Sequence, residues 1–404
     1  VKLRGSVARV LVQASSRSWK GAPEPCVAIV DGRPVVAHTL AKLADAFPEA
    51  SLAIVAPAFD RGGPFERLRE SFRGRELRFC FGHDADPLAR LIDATIDLDA
   101  DALVVRCDGQ HCFADMELAR RLVERAAEGG FDCVKLPDDF PPALATEVYR
   151  VGALRRLAAA LDPARDAALR VHAKFAICRG ASGFAYELMQ PPHYETAQLE
   201  RWRAEALRIH TAPRAEGDDH RRLRAGDQSL FHYELAAPHL RPEWRVLEAA
   251  CGDGAGTRYL AQRVAELTAV DLEADQLPRL ASLRALRTPV RALAADVCHL
   301  PFPDKSFDAV TSFETIEHTD PEACLSSFHR VLAPGGTLVL STPQSSLGHV
   351  PLNPHHLREF SLDEFVALAE AHFTVREVFG IKAGRILVPG DPIGTNTVLV
   401  CEKN

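Results

Sequence analysis

The densest chemistry in the sequence lies between residues 246 and 318. The run Val246-Leu247-Glu248-Ala249-Ala250-Cys251-Gly252-Asp253-Gly254-Ala255-Gly256-Thr257 is apolar at first and then breaks into three glycines at alternate positions. A tight passage from strand to helix needs backbone freedom there, and a ligand can approach a main chain that carries no Cβ. Val270-Asp271 closes the next apolar run, 15 residues after Gly256. A carboxylate at that place can accept both hydroxyls of a ribose. Asp296, in Ala295-Asp296-Val297, closes a third run. It can accept from the exocyclic amine of an adenine while Val297 packs near the ring. A fourth run, Phe307-Asp308-Ala309-Val310, leads to Ser312-Phe313-Glu314-Thr315-Ile316-Glu317-His318. Leu332-Ala333-Pro334-Gly335-Gly336 then turns into another strand-like run. Alone, the glycine pattern also fits a dinucleotide-binding turn. The Asp296 segment and the Pro-Gly-Gly turn have no role in that reading.

Three histidines are candidate catalytic groups. His318 follows the fourth run, where an acceptor would meet a cofactor, and imidazole is the commonest general base. Its other reading is an anchor for its own loop. A second cluster, His349 to Phe360, contains Asn353, His355, His356 and Arg358, which can contact hydroxyls or phosphates. His349, His355 and His356 with a nearby carboxylate are a conceivable metal set, but they share no obvious ligand spacing, so no metal is expected there.

The first half has motifs of its own. They are Val10-Leu11-Val12-Gln13-Ala14, Asp31-Gly32-Arg33-Pro34-Val35, Phe81-Gly82-His83-Asp84-Ala85-Asp86-Pro87-Leu88-Ala89-Arg90 and Leu103-Val104-Val105-Arg106-Cys107-Asp108-Gly109, with Asp115 behind them. Asp86 and Arg90 read either as pocket residues or as a helix N-terminal turn with a capping carboxylate.

These groups need strand ends to hold them. Val7–Val12, Leu52–Ala56 and Ala102–Val105 read as buried parallel strands, and His38–Phe47 and Met116–Ala127 carry helical spacing. In the second half, the strands are Arg245–Ala249, Leu267–Asp271, Arg291–Ala295, Phe307–Thr311 and Thr337–Thr342. Helices are expected over Glu195–Ile209, Arg258–Leu267 and Leu362–Glu370. Strand–helix repetition in both halves predicts an α/β chain of two doubly wound, Rossmann-like domains. Strand signals fade between Ser182 and Gly226, and we place the boundary near Pro213, giving domains 1–213 and 214–404.

The spaced motifs from Gln228 to Lys403 closely resemble the class I S-adenosylmethionine-dependent methyltransferases, in particular the branch found in glycan and small-molecule biosynthesis. The resemblance implies that Glu248, Gly252, Asp253, Gly254 and Gly256 surround the methionine part of the cofactor. It implies that Asp271 with Leu272 binds the ribose, Asp296 with Val297 the adenine, and that Phe313 lies beside the cofactor. Tyr233, in His232-Tyr233, would cover it from the N-terminal side. Residues 7–160 resemble the cytidylyltransferases of surface-polysaccharide synthesis, such as the spore-coat and acidic-sugar enzymes. The departures matter. Where that family has the first arginine of its phosphate-binding loop, this chain has Ser15, and its final lysine is Glu24. The aspartate that would hold Mg²⁺ falls at Gln110, and a neutral amide is a far weaker ligand. The first domain is therefore expected to have kept the fold and lost nucleotidyl transfer, serving to bind a nucleotide-linked ligand or to dock. The alternative is a bifunctional enzyme that also activates an acidic sugar or phosphonate with CTP and Mg²⁺.

The bulk numbers agree with an enzyme of this kind. Hydrophobic residues make up 47% and charged residues 25% of 404, an ordinary globular mix. The net charge of −7 comes without a basic tail, which counts against nucleic acid as the partner. Arg221–Arg224 is basic but sits beside Asp218 and Asp219, and reads as a solvated linker. Ten cysteines contain no C-x-x-C pair, so reduced thiols in a cytoplasmic protein are expected. No apolar run reaches the ~18 residues of a membrane span. The expected partner is a small-molecule acceptor, a sugar or nucleotide-sugar, methylated on oxygen. A homodimer fits the cytidylyltransferase resemblance.

Overall fold

The computed structural model describes residues 6–17, 25–72, 74–178, 183–210, 228–273, 288, 290–348 and 350–404. Glu24, the Arg221–Arg224 segment, the Pro213 boundary and His349 lie outside them. The chain divides into two compact units, 1–218 and 219–404.

In the first unit, apolar runs without alternation form strands covered on both faces, as parallel strands must be. They are β1 (Val7–Gln13), β2 (Ser51–Ala56), β3 (Leu77–Phe81) and β4 (Leu103–Asp108). Three shorter strands follow: β5 (Cys133–Lys135), β6 (Glu147–Arg150) and β7 (Tyr186–Leu188). The seven stand in the order β3-β2-β1-β4-β6-β5-β7. β1 pairs parallel with both β2 and β4, whereas β6 runs antiparallel to β4 and to β5. The sheet is therefore mixed, and the doubly wound expectation covers only its parallel part. Helices α1 (Val35–Ala46), α2 (Pro87–Asp93), α3 (Met116–Gly129), α4 (Val151–Ala160) and α5 (Thr196–His210) accompany it. Leu11, Leu88, Val104, Tyr149, Leu154 and Ile177 share one buried core.

The second unit begins with α6 (Gln228–Ala236). Its strands are β8 (Arg245–Ala249), β9 (Glu266–Asp271), β10 (Val290–Ala294), β11 (Phe307–Phe313), β12 (Leu332–Pro343), β13 (Thr374–Lys382) and β14 (Asn396–Glu402). The order is β10-β9-β8-β11-β12-β14-β13, with the two-residue strand Ile386–Leu387 at the edge. The first five run parallel, and β14 is antiparallel to both neighbours. The unit is an α/β fold of Rossmann-like kind. Helices α7 (Ala255–Leu260), α8 (Pro321–Val331) and α9 (Leu362–Glu370) connect the strands. Asp320 caps α8 by accepting from the Glu322 and Ala323 amides, and Ser361 with Glu364 forms a full capping box on α9. Leu247, Val310, Phe328, Leu340, Phe365 and Leu399 form the core between them.

Two expectations need correction. The helix placed at Arg258–Leu267 is α7, Ala255–Leu260. It starts earlier because Gly254, at φ +82°, is the turn that launches it. It ends earlier because Glu266 already pairs with Arg245 in the sheet. The Pro334-Gly335-Gly336 segment does not precede a strand but lies inside β12. The pairing shifts there, from Phe307 opposite Leu332 to Ala309 opposite Thr337. Gly335 at φ +71° absorbs the bend. Among the described residues, no helix is long and apolar enough to cross a membrane.

Candidate active site

In an open α/β sheet a ligand crevice lies at the carboxyl ends of the strands where the order reverses. In the second unit that place is between β8 and β11, which flank each other while β9 lies on the other side of β8. Both strands end in a non-glycine residue with left-handed backbone, Ala250 at φ 62° and Glu314 at φ 51°. Such conformations are costly and mark sites where the surroundings hold the chain.

The turn after β8 is built from Gly252 (φ 51°) and Gly254 (φ 82°). The Gly252 amide donates to Asp271 Oδ2 at 2.8 Å, and the Glu273 amide donates to Oδ1 at 2.9 Å. Asp271, at the end of β9, is thus fixed beside the glycine turn. Asp253 steadies the same turn by accepting from the Ala255 amide at 3.1 Å. Leu272 follows with its side chain 71% exposed.

Gly256 has a different reason from the one its pattern suggested. A Cβ there would lie 1.8 Å from Tyr233 Cζ. The glycine makes room for a side chain of α6, rather than for a ligand approaching the main chain. From that position the Tyr233 hydroxyl donates to Glu248 Oε1 at 2.8 Å. Glu248 is 1% exposed, and its Oε2 has no hydrogen-bond partner of ordinary geometry. Burial pushes its pKa up to about 7, with the charges of Asp253 and Asp271 adding to the effect. Phe313, at the end of β11, meets the Tyr233 ring edge-on at 4.7 Å and the His232 ring at 5.7 Å.

Asp296 accepts from the Cys298 amide at 2.8 Å and pairs with His299 Nδ1 at 2.9 Å, which holds its carboxyl below the usual range. The Val297 side chain is buried in the core with Leu300 and Phe302, so its side chain is not an open face for a ring.

Past β11, a short 3₁₀ turn, Ile316–His318, carries the second half of the site. His318 Nδ1 lies 2.9 Å from the carbonyl oxygen of His355; a carbonyl only accepts, so Nδ1 carries the proton and Nε2 the lone pair. Burial lowers the His318 pKa. The His318 and His356 rings stand perpendicular with centroids 4.9 Å apart. His356 Nδ1 donates to Glu359 Oε1 at 2.9 Å, and the Asn353 amide donates to His356 Nε2 at 2.8 Å. The structure therefore brings His318 and His356 together. His355 joins them through its carbonyl, while its side chain is exposed. The anchor reading of this turn also holds, since the Glu317 carbonyl accepts from the Leu357 and Arg358 amides at 2.8 and 3.3 Å.

Sequence reasoning singled out neither carboxylate beside these histidines. Glu317 is buried, with Oε2 accepting from the Thr342 hydroxyl at 3.0 Å. Glu314 accepts from Ser341 at 2.7 Å and from Asn396 at 2.6 Å. The signal was present as Glu-x-x-Glu-His, but only the fold shows that both carboxylates turn inward.

Residues 247–340 match the family model described as a methyltransferase domain. The second unit carries a class I S-adenosylmethionine-dependent methyltransferase domain. The chain is 36% identical over 145 residues to the "Probable S-adenosylmethionine-dependent methyltransferase" of Mycolicibacterium smegmatis, covering 34% of this chain and 55% of that protein. It is 39% identical over 113 residues to the ubiquinone biosynthesis O-methyltransferase of Xanthomonas campestris, covering 27% and 46%. The chain thus spans about half the length of the curated relatives it matches. A solved S-adenosylmethionine-dependent methyltransferase from Mesorhizobium loti aligns over 44% of this chain and all of its own, at 16% identity and a TM-score of 0.34. The methyltransferase assignment rests on the family model and the sequence relatives.

Outside the methyltransferase domain, the first unit has its order reversal between β1 and β4. Arg106 fills that end, donating to Gln13 at 3.1 Å and pairing with Asp108 at 3.2 Å and Glu147 at 3.4 Å. Lys174 also pairs with Glu147 at 2.7 Å. Burial alone would raise the Glu147 pKa, yet Lys174 and Arg106 hold it well below the usual range. Asp86 caps α2 by accepting from the Ala89 amide and pairs with Arg170 at 2.7 Å. Arg90 donates to the carbonyls of His83 and Asp84 at 2.8 and 3.2 Å. Both residues serve the helix turn.

Proposed function

We propose that the chain transfers a methyl group from S-adenosylmethionine to a hydroxyl of a polar small molecule of the sugar or nucleotide-sugar class. The observation that carries this reading is Glu248. It is a buried carboxylate beside a glycine turn whose partners, the Tyr233 and Thr257 hydroxyls, carry no positive charge, a fit for the cationic amino end of a methionine moiety. Asp271, held by the Gly252 amide, stands where a ribose would meet the same turn. The cofactor supplies an activated methyl on a sulfonium, so the chain mainly has to align the acceptor and manage its proton. The Glu317, His318 and His356 cluster is the group available to activate the acceptor hydroxyl. Transfer to oxygen is favoured by the name of the Xanthomonas relative, an O-methyltransferase. The sugar class follows by association with the first unit's motifs.

The first unit supports a binding or docking role better than nucleotidyl transfer. Asp108 and Glu147, the carboxylates at its order reversal, are already paired with Arg106 and Lys174. Neither is free to hold Mg²⁺ on a triphosphate.

Calorimetric titration with S-adenosylhomocysteine tests the cofactor site. Wild type should bind one equivalent, and Asp271→Ala should weaken binding by about tenfold or more, as expected for losing a charged hydrogen-bond acceptor worth about 1.5–3 kcal/mol. Absence of binding to the wild type would remove the proposal. Transfer of labelled methyl to a panel of nucleotide-sugars then identifies the acceptor class.

A further inference from the structure

Glu317, His318 and His356 each offer one ligand atom, and these atoms lie within 4.8 Å of one another. Their chemistry is that of a cation site, two imidazoles and one carboxylate. The carboxylate carries the argument. The Glu317 side chain is 1% exposed, and its Oε1 has no hydrogen-bond partner. It points toward His318 Nε2, 3.8 Å away. A buried acceptor left unmatched is costly unless something occupies the space beside it.

The histidines are set up for the same task. His318 donates from Nδ1 to the His355 carbonyl, so Nε2 presents its lone pair. His356 donates from Nδ1 to Glu359, the carboxylate–histidine arrangement that orients an imidazole toward a metal. A cation would replace the Asn353 amide as the partner of His356 Nε2. The surrounding charge agrees. Glu314, Glu317 and Glu359 lie close enough to act on one another, and each has a histidine as its ion-pair partner. His318 is 42% exposed, so the cluster is reachable from solvent.

We infer that Glu317 Oε1, His318 Nε2 and His356 Nε2 hold a divalent cation of the zinc or manganese class, with open positions for an acceptor oxygen. A modest inward movement suffices to reach the ~2.0–2.2 Å of such bonds. This inference deepens the methyl-transfer reading and rests on it for its chemistry. The cation acts as a Lewis acid on the acceptor hydroxyl, whose proton leaves to water. The oxygen lone pair forms the new O–CH₃ bond as the S–CH₃ bond breaks, and that electron pair stays on sulfur as a neutral thioether.

The test uses the full chain after treatment with a chelator, titrated with Zn²⁺ and separately with Mn²⁺ in a calorimeter. One equivalent of at least one metal should bind. Glu317→Gln and His318→Ala should each weaken it by about tenfold or more, a scale on which even outer-shell partners act. Both variants should keep wild-type circular dichroism and S-adenosylhomocysteine affinity, which shows that they fold. No saturable metal binding, or binding unchanged in both variants, overturns the inference. The two readings fail separately. Lost S-adenosylhomocysteine binding in wild type defeats methyl transfer, whereas lost metal binding with intact S-adenosylhomocysteine binding defeats only the cation.

Discussion

Glu248 shows how one residue couples stability to the cofactor site. Its folded pKa of about 7 stands above the ordinary carboxylate value, so between about pH 4.5 and 7 the folded chain keeps a proton that the unfolded chain has lost. The sign is a loss with rising pH. No penalty exists below about pH 4.5, and it grows to roughly 3 kcal/mol above pH 7. The groups facing Glu248 are Tyr233, Thr257, Cys251, Asp253 and Asp271, none of them cationic. Glu248→Gln should therefore flatten the decline of the ligand-free melting temperature across that window, which a melting series by pH would read. An unchanged decline would place the titration elsewhere. Binding of a ligand ammonium should also tighten as Glu248 ionises, and the same variant should remove that dependence. Glu248 was legible as a strand residue running into the glycine turn. Its bond to Tyr233, and the steric reason for Gly256, were not, because both depend on α6 returning across the sheet.

At the scale of elements, β8 was legible to the residue because five residues between a charged start and a glycine turn leave little choice of register. The five long parallel strands of that unit were found for the same reason. The strands β5, β6 and β7 escaped because three or four residues carry no periodicity. β13 escaped because its mixed exposure breaks both patterns, whereas β14, buried from Thr397 to Cys401, carried a readable apolar run that was passed over. The bulge inside β12 escaped because Pro-Gly-Gly reads as a stop. It persists because β14 backs it. The Gly335 amide donates to the Lys403 carbonyl at 3.0 Å, and the Lys403 amide donates to the Gly336 carbonyl at 2.9 Å. Lys403 Nζ reaches further, to the carbonyls of His329 and Leu332 at 2.6 and 2.9 Å, closing the end of α8. Lys403→Met should cost about 2 kcal/mol by leaving two carbonyls unmatched, read as a lower urea midpoint at unchanged slope. A midpoint within error of wild type would show that water serves those carbonyls as well.

Across the whole molecule, the two units differ in how their order reversals are filled. In the first, Asp108 and Glu147 are paired with Arg106 and Lys174, and an atom left without a hydrogen-bond partner beside them is a neutral-ring nitrogen, His111 Nδ1. In the second, Glu248 meets only the neutral hydroxyls of Tyr233 and Thr257, and Glu317 Oε1 is buried without a hydrogen-bond partner. CTP with Mg²⁺ is accordingly expected to show no micromolar binding to the full chain and to release no pyrophosphate with acidic sugars. Binding at that level would restore the bifunctional alternative. The second unit's site also rests on two left-handed residues, Ala250 and Glu314, at the tips of neighbouring strands. Glycine would relieve each of them by roughly 1 kcal/mol. A library screened only for heat tolerance will drift toward glycine there, whereas one screened for turnover will hold the strained residues. Where the two screens disagree most on this chain, they will be tracing the outline of its working edge.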